Sequence, residues 1–255
     1  MELRLYVLDT GVIECADYAM FSPSAGPNVH YEMPVRSFVV VHPEGTLVWD
    51  TGIDDAIGRE PDGRQILETI VFKVPRTMRS QLDEIGIDPG EVDYVALSHL
   101  HIDHVGNVGL FPSAVVFLQQ AEYDAGYGPN PEELTLIPEA YAALDRGNVK
   151  AVDGDHDIFG DGTAVLKPLP GHTPGHQGLL VRLDDTGPVF LAGDVSYSAQ
   201  DYADGAVRRA NVDLAQSARS IEAAKQLERD LGVAVWLHHD KEAQRSIRCA
   251  PQAYE

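Results

Sequence analysis

The chain has 255 residues with 40 acidic and 19 basic side chains, so its formal net charge is −21 at pH 7. A surface this acidic repels a phosphate backbone, which argues against nucleic-acid binding and leaves a neutral small molecule as the expected partner. Hydrophobic residues make up 44% of the chain, enough for a sizeable core, and no stretch approaches the length of a membrane span.

The first residues and the cysteines bear on the cellular compartment. The segment 1–14 carries acidic residues and no long apolar stretch, so we expect no signal peptide. Cys15 and Cys249 lie near opposite ends of the sequence and do not suggest a disulfide scaffold. A cytoplasmic location is therefore predicted, and no residue pattern bears on the oligomeric state.

Short apolar runs predict strands along the whole chain. In order they cover 3–8, 37–42 and 46–49 (a hairpin), 94–98, 114–119, 163–169, 178–183, 188–193 and 233–238. Two segments between them predict helices: 77–86, which ends in a glycine, and 213–232, with Asp213 as its N-cap and Gly232 at its end. This mixture predicts one α/β domain over residues 1–255.

The run at 94–98 leads into the sequence LSHLHIDHVGN. It places His99, His101, Asp103 and His104 within six positions, where a strand end and a turn can point them into one cleft. Imidazole and carboxylate together suit zinc or a related divalent metal, in one site or in two. For this cluster taken alone, the alternative is a closed metal site with a purely structural role.

Further candidate ligands follow later apolar runs. His172 lies in the Gly/Pro-rich turn GHTPGHQ, Asp194 follows the run at 188–193, and His238 and His239 follow the last run. Taken alone, each would be interpreted as a turn or packing residue. Because all of them lie at the exits of predicted strands, their side chains can converge on one rim.

Together these residues resemble the metallo-β-lactamase superfamily, with His-x-His-x-Asp-His at 99–104 and the later candidates in order. The resemblance implies a four-layer αβ/βα sandwich with a site for two divalent metals between the sheets. The implied ligands of one metal are His99, His101 and His172, those of the other are Asp103, His104 and His239, and Asp194 bridges the two. Zinc is the expected ion, and iron, manganese or cobalt also suit these ligands.

Two further positions take their roles from the same resemblance. Asp50, in the Asp-Thr-Gly turn after the second hairpin strand, would brace the ligand loop rather than bind metal. His238 and His239 compete for one ligand position. The superfamily ligand directly precedes an aspartate, which favours His239 and leaves His238 to pack or to form hydrogen bonds.

The segment GDVSY at 193–197 is similar to one in N-acyl-homoserine lactone lactonases, the quorum-quenching enzymes. In them a tyrosine three positions after the bridging aspartate reaches the substrate, and Tyr197 has that position here. The resemblance implies that a metal-bridging hydroxide attacks the lactone carbonyl, that Tyr197 donates a hydrogen bond to its oxygen, and that Asp103 passes a proton to the leaving group. A core or rim tyrosine is the simpler alternative.

The substrate is less constrained than the metal centre. Met20, Phe21, Ile70 and Phe72 are candidates for an apolar acyl-chain groove, with core packing as their alternative. The stretch 54–75 differs from the sequence of the familiar acyl-homoserine enzymes, so another lactone, such as a pyridoxolactone, remains an alternative substrate. A glyoxalase II-like thioesterase on this fold and a non-catalytic metal- or ligand-binding protein are the further alternatives.

Overall fold

The computed structural model describes residues 3–144 and 146–255. The strands in this part of the chain are β1 (Arg4–Cys15), β2 (Tyr31–His42), β3 (Gly45–Trp49), β4 (Arg64–Leu67), β5 (Ile70–Lys73), β6 (Tyr94–Ala96), β7 (Val115–Gln119), β8 (Val149–Val152), β9 (His156–Asp157), β10 (Ala164–Pro168), β11 (Gln177–Leu183), β12 (Gly187–Leu191), β13 (Ala234–Trp236) and β14 (Ala253–Tyr254).

The α-helices are α1 (Met78–Glu84), α2 (Ile102–Val105), α3 (Gln120–Gly126), α4 (Ala199–Asp204), α5 (Leu214–Leu231) and α6 (Lys241–Gln244). Short 3₁₀ helices cover Tyr18–Met20, Asp55–Arg59, Pro89–Glu91, Val108–Leu110, Pro131–Leu134, Pro138–Tyr141, Arg146–Asn148 and Gly193–Val195. Among the described residues, no helix is both long and apolar enough to cross a membrane.

The described strands form two sheets. The first has the order β4-β5-β1-β2-β3-β6-β7-β8, with β14 also paired to β1, and the second has the order β13-β12-β11-β10-β9. Strands β3, β6, β7 and β8 are parallel neighbours, and β12 is parallel to β13. The carboxyl ends of such parallel strands lie along one edge of each sheet.

Side-chain alternation along the strands divides the core into layers. On β1, Leu5 and Val7 pack against the second sheet, while Tyr6 and Leu8 face the opposite way, toward α1. On β11, Leu179 faces the first sheet, whereas Leu180 packs toward α5. Each fully buried aliphatic side chain contributes about 1.5–3 kcal/mol. The resulting helix–sheet–sheet–helix arrangement confirms the predicted αβ/βα sandwich.

The structure extends the predicted strands near one end of the first sheet. β1 continues beyond the predicted 3–8 to Cys15, with a shift in register between Asp9 and Gly11, and β2 begins at Tyr31. The extension of β1 pairs with β5, one strand of a hairpin that the sequence did not predict. Each of its two strands has four residues, which is too few to show a clear alternation of apolar and polar side chains in the sequence.

Both predicted helices are confirmed. The Thr77 side chain caps α1 by accepting from the backbone of Ser80, and Asp213 caps α5 in the same way through Gln216. Gly232 ends α5 with φ +64°, a conformation that favours glycine.

Candidate metal centre

The candidate ligands lie at one edge of the sandwich because the strands that carry them end there. Asp50 directly follows β3, and His99 lies three residues after the end of its parallel neighbour β6. On the second sheet, His172 follows β10, Asp194 follows β12 and His239 follows β13. Since β10 and β12 each run antiparallel to β11, and β12 is parallel to β13, their carboxyl ends meet at the same edge.

One group of nitrogens converges beside Asp194. Nε2 of His99 lies 2.8 Å from Nδ1 of His101 and 3.2 Å from Nε2 of His172. His172 Nε2 also lies 3.0 Å from His101 Nδ1 and 3.5 Å from Oδ2 of Asp194. Three ring nitrogens and a carboxylate oxygen thus surround one position.

A second group converges on the other oxygen of the same carboxylate. Oδ1 of Asp194 lies 3.4 Å from Nε2 of His104 and 3.3 Å from Nε2 of His239. Oδ2 of Asp103 lies 3.5 Å and 3.4 Å from these same two nitrogens. Asp194 therefore presents one oxygen to each group, as a bridging ligand does.

Each of the five converging histidines has a partner for its outer ring nitrogen. The pairs are His99 with Ser98 Oγ, His101 with Thr135 Oγ1, His104 with Asp50 Oδ2, His172 with Asn211 Oδ1, and His239 with the carbonyl of Pro34. Thr135 gives its own proton to the Leu134 carbonyl, so it accepts from His101. An outer nitrogen that donates leaves the inner nitrogen with a free lone pair, the tautomer that a metal requires.

Two buried atoms at the centre of the cluster have no hydrogen-bond partner in the described part of the chain. They are Nε2 of His104 and Oδ1 of Asp194. Leaving such an atom unsatisfied costs about 1–3 kcal/mol, and a cation between them would satisfy both. Despite burial, His239 and His104 hold the pKa of Asp194 well below its usual range, so this carboxylate carries the negative charge that a cation attracts. The residues present fit a divalent metal pair.

Asp50 lies behind the cluster and contacts no inner nitrogen. It accepts from Ser98 through the backbone N–H at 2.7 Å and through the hydroxyl at 2.9 Å, and it also holds His104. Its φ of +53° is uncommon for a non-glycine residue. A buried carboxylate in this position fixes the ring orientation of His104.

The two adjacent histidines of the last loop, His238 and His239, have different contacts in the structure. His239 contacts both carboxylates, whereas the backbone N–H of Arg36 lies 3.5 Å from Nε2 of His238. His238 still packs its ring 4.4 Å from that of His104, and its ligand atom lies within 4.8 Å of those of His104 and His239. We assign the cluster position to His239 because it alone of the two has carboxylate contacts among the described ion pairs.

A cavity of about 320 Å³ opens onto the cluster. Its inner end is polar and is lined by His101, Asp103, Asp194, Tyr197, Arg208 and His239. Its walls are mainly apolar and include Ile13, Phe21, Ile66, Leu67, Ile70, Phe72 and Ile137, with Glu132 and Thr135 as polar members of the lining. Three of the four residues predicted for an acyl-chain groove, Phe21, Ile70 and Phe72, therefore lie on this wall.

Met20 does not line the cavity, and the expectation that it would is wrong. Its side chain is 41% exposed, and its sulfur accepts a hydrogen bond from Thr69. Phe21 follows the 3₁₀ turn Tyr18–Met20 and lines the cavity, whereas Met20 lies at a surface depression that Phe21 also borders.

Tyr197 is buried at the inner end of the cavity. Its hydroxyl donates to Oδ2 of Asp194 at 2.6 Å, and its ring stacks on that of His239 with the centroids 5.2 Å apart. Tyr18 donates to the Tyr197 carbonyl at 2.8 Å and so ties this segment to the turn after β1.

Residues 30–234 match the family model described as the metallo-beta-lactamase superfamily. The chain belongs to this superfamily. Among its relatives, the N-acyl homoserine lactonase AttM of Azorhizobium caulinodans is 31% identical over 264 residues, which cover 100% of this chain and 99% of the relative. The N-acyl homoserine lactonase AiiA of Bacillus thuringiensis subsp. kurstaki is 28% identical, with 98% of each chain covered.

Solved structures agree with this assignment to the superfamily. A quorum-quenching N-acyl homoserine lactone hydrolase superposes with a TM-score of 0.86 at 26% identity, covering 99% of each chain. Another N-acyl homoserine lactone hydrolase, with the product N-hexanoyl-L-homoserine bound at its catalytic metal center, gives 0.85 at 26% identity, covering 99% of this chain and 100% of the other. A dizinc quorum-quenching lactonase shares the fold at 20% identity and a TM-score of 0.72.

Two supports of this metallo-β-lactamase site were not predicted. Nε2 of His176 accepts from the backbone N–H of Asp194 at 2.9 Å. A Cβ on Gly193 would lie 2.6 Å from that nitrogen, so only glycine fits there. Glu122, fully buried, accepts from the backbone N–H groups of Leu100 and Gly175 and joins the two ligand loops. His176 could have been found from its place in GHTPGHQ, but nothing in the sequence marks Glu122.

Proposed function

We propose that the protein is a lactonase that hydrolyses the ring ester of N-acyl-homoserine lactones. The observation that carries the proposal is the cavity, which is apolar along its walls and polar at the end that meets the metal cluster. A matching substrate carries a reactive polar head and a hydrocarbon tail, as an N-acylated lactone does. The AttM and AiiA relatives bear the name N-acyl homoserine lactonase, which supports the same assignment.

In this proposal the two histidine groups hold two divalent ions. The ligands of one ion are His99, His101 and His172, those of the other are Asp103, His104 and His239, and Asp194 bridges them. Zinc is the expected metal for this mixture of imidazole and carboxylate, and iron, manganese or cobalt are compatible with it. When bound, such a pair polarises an ester carbonyl and makes water acidic.

The side chains of the cavity then orient the ester and handle its protons. Tyr197 lines this end of the cavity, and its hydroxyl, which donates to Asp194 Oδ2 in the structure, would turn to the carbonyl oxygen, where negative charge develops. Asp103 lines the same end of the cavity and can pass a proton to the departing ring oxygen. Addition of one water yields a carboxylate and an alcohol on a single product molecule.

The cavity walls favour an acyl lactone over the alternatives. The glutathione part of a glyoxalase II substrate is a charged tripeptide, and most of the wall consists of isoleucine, leucine and phenylalanine side chains that cannot hydrogen-bond it. A small polar ring such as pyridoxolactone would leave most of the apolar wall uncovered. A non-catalytic metal-binding protein would need no cavity onto its metal, and a non-catalytic ligand-binding protein would turn over no lactone. The cytoplasmic location stays a prediction, in keeping with the free thiols of Cys15 and Cys249.

The test is a pH-indicator assay of the zinc-loaded protein with a panel of substrates. The panel holds butanoyl, hexanoyl and decanoyl homoserine lactones, a pyridoxolactone and S-lactoylglutathione. We expect kcat/KM to rise with acyl length and to exceed about 10⁴ M⁻¹s⁻¹ for the best lactone. Faster turnover of the thioester or of the pyridoxolactone than of every acyl lactone would contradict the proposal.

A further inference from the structure

Arg208 lines the inner end of the cavity and has no role in the proposed reaction so far. Its Nη1 donates to the phenolic oxygen of Tyr197 at 3.1 Å, and its Nε donates to the carbonyl of Met20 at 3.2 Å. The guanidinium carbon lies 4.6 Å from the ring centroid of Phe21 and 5.2 Å from that of Tyr197. Two hydrogen bonds and two ring faces thus hold the guanidinium in one place.

The hydrogen bond from Arg208 restricts what the Tyr197 hydroxyl can do. A phenol has one proton to donate, and a guanidinium has no lone pair with which to accept it. The phenolic oxygen therefore accepts from Arg208, and its own proton must point elsewhere. In the structure it points to Oδ2 of Asp194, at the inner end of the cavity.

We propose that Arg208 is a positioning residue that keeps Tyr197 as a hydrogen-bond donor to the substrate. The inference rests on the proposed lactonase function. A charged donor on the phenolic oxygen polarises the O–H bond, so the hydroxyl donates more strongly. The gain is largest for the negative charge that develops on the carbonyl oxygen in the transition state, so Arg208 acts on kcat more than on KM.

The kinetic test is a double-mutant cycle on the zinc-loaded protein. We expect Arg208→Gln to lower kcat about tenfold with KM changed less than about twofold. In a Tyr197→Phe background the same substitution should have almost no effect, because the hydroxyl through which it acts is gone. Arg209→Gln is the matched control, since it removes the same charge from the adjacent, exposed residue and should leave kcat unchanged.

Two kinetic outcomes would overturn the inference. An equal loss in both backgrounds would mean that Arg208 acts on the substrate directly and not through Tyr197. An unchanged kcat in Arg208→Gln would mean that the hydroxyl needs no such partner. Arg208→Met, which keeps an unbranched apolar stem over Phe21, is a second variant if the glutamine variant folds poorly.

A readout without substrate separates this inference from the proposed function. The chain has ten tyrosines, and labelling their Cζ atoms with ¹³C gives one resonance each. The Tyr197 resonance is the one missing from Tyr197→Phe, and it should shift in Arg208→Gln but not in Arg209→Gln. If it does not move, the inference fails. If it moves in a protein that hydrolyses no lactone, the contact stands and the proposed function fails.

Discussion

The metal cluster and the apolar wall of the same cavity are built in opposite ways. In the cluster each inner atom lies within 3.5 Å of several others, and each outer ring nitrogen has its own partner. The wall consists of side chains such as Ile70 and Phe72, which contact their neighbours by packing alone. Packing tolerates a change of shape, whereas a polar network with one member removed leaves the others unsatisfied.

The two regions also differ in the parts of the chain that build them. The cluster takes ligands from strand ends of both sheets, so it exists only when the sheets are packed together. Much of the wall belongs to one apolar group at the far end of the first sheet, around β1, β2 and β5. We therefore expect substitutions in the cluster to abolish activity as a unit and substitutions in the wall to adjust substrate preference.

Asp194→Asn is expected to have the largest effect. Asparagine keeps the shape of the side chain but turns one carboxylate oxygen into an NH₂ group, which cannot bind a cation. Both ions should be held more weakly, and lactone turnover should fall by a factor on the order of 10³. Metal analysis after dialysis, alongside kcat/KM, measures both effects.

The control for this variant is Asp204→Asn, an exposed carboxylate at the end of α4. It should retain full metal content and activity. Two ions per chain in Asp194→Asn would count against the bridging role of this carboxylate.

The adjacent histidines of the last loop give a sharper comparison within the cluster. His239→Ala removes the nitrogen that lies near Asp103 and Asp194, so one ion should be lost and turnover should fall about a hundredfold. His238→Ala should keep two ions, although it lowers the thermal midpoint because the side chain is buried. Metal content per chain decides the assignment, and loss of an ion from the His238 variant alone would reverse it.

Substitutions of Asn211 test whether the hydrogen-bond partners of the outer ring nitrogens affect metal affinity. Asn211→Ala removes the acceptor that holds His172 Nδ1, and we expect metal affinity to weaken by about 10–100-fold. Asn211→Asp keeps an acceptor oxygen in that place and should restore most of the affinity. Competition with a chromophoric chelator measures the difference, and equal affinities for the alanine variant and the unaltered protein would show that His172 needs no such support.

The difference between local patterns and tertiary contacts explains which parts of the metal cluster the sequence could predict. Each ligand lies within a few residues of an apolar run, so its position is visible in the sequence, and the resemblance to the superfamily supplies its role. Except for Ser98 beside His99, the partners of the ligand histidines are set by tertiary contacts: Thr135 lies 34 positions from His101, and Pro34 lies 205 positions from His239. No local pattern connects such pairs.

The wall was harder to predict for a different reason. β5 forms its part of the wall by pairing with the extension of β1. Burial alternates along both segments, but the less buried positions include the apolar Val12 and Val71, so the sequence does not show the alternation. Met20 was predicted together with Phe21 because both lie in a segment near the rim in similar enzymes, but of the two only Phe21 lines the cavity. Side-chain direction in a short turn depends on backbone angles that composition does not reveal.

The smallest expected effect is on KM, and it is tested by substituting two exposed apolar residues, one on the wall and one away from it. Leu67 is 54% exposed and lines the cavity, whereas Met20 is 41% exposed and does not. Leu67→Ala should raise KM for a decanoyl lactone about fourfold, the equivalent of one buried methylene at about 0.8 kcal/mol. KM for a butanoyl lactone should stay unchanged, because a short chain does not extend to the cavity mouth.

Met20→Ala is the matched control for that comparison and should alter neither KM. Both residues are too exposed for their loss to lower the thermal midpoint appreciably, so a change in KM reports on the wall itself. If Met20→Ala raised KM for the decanoyl lactone as much as Leu67→Ala, the acyl chain would leave the cluster by a path other than this cavity. Equal effects of Leu67→Ala on both chain lengths would mean that the wall binds the lactone head and not the tail.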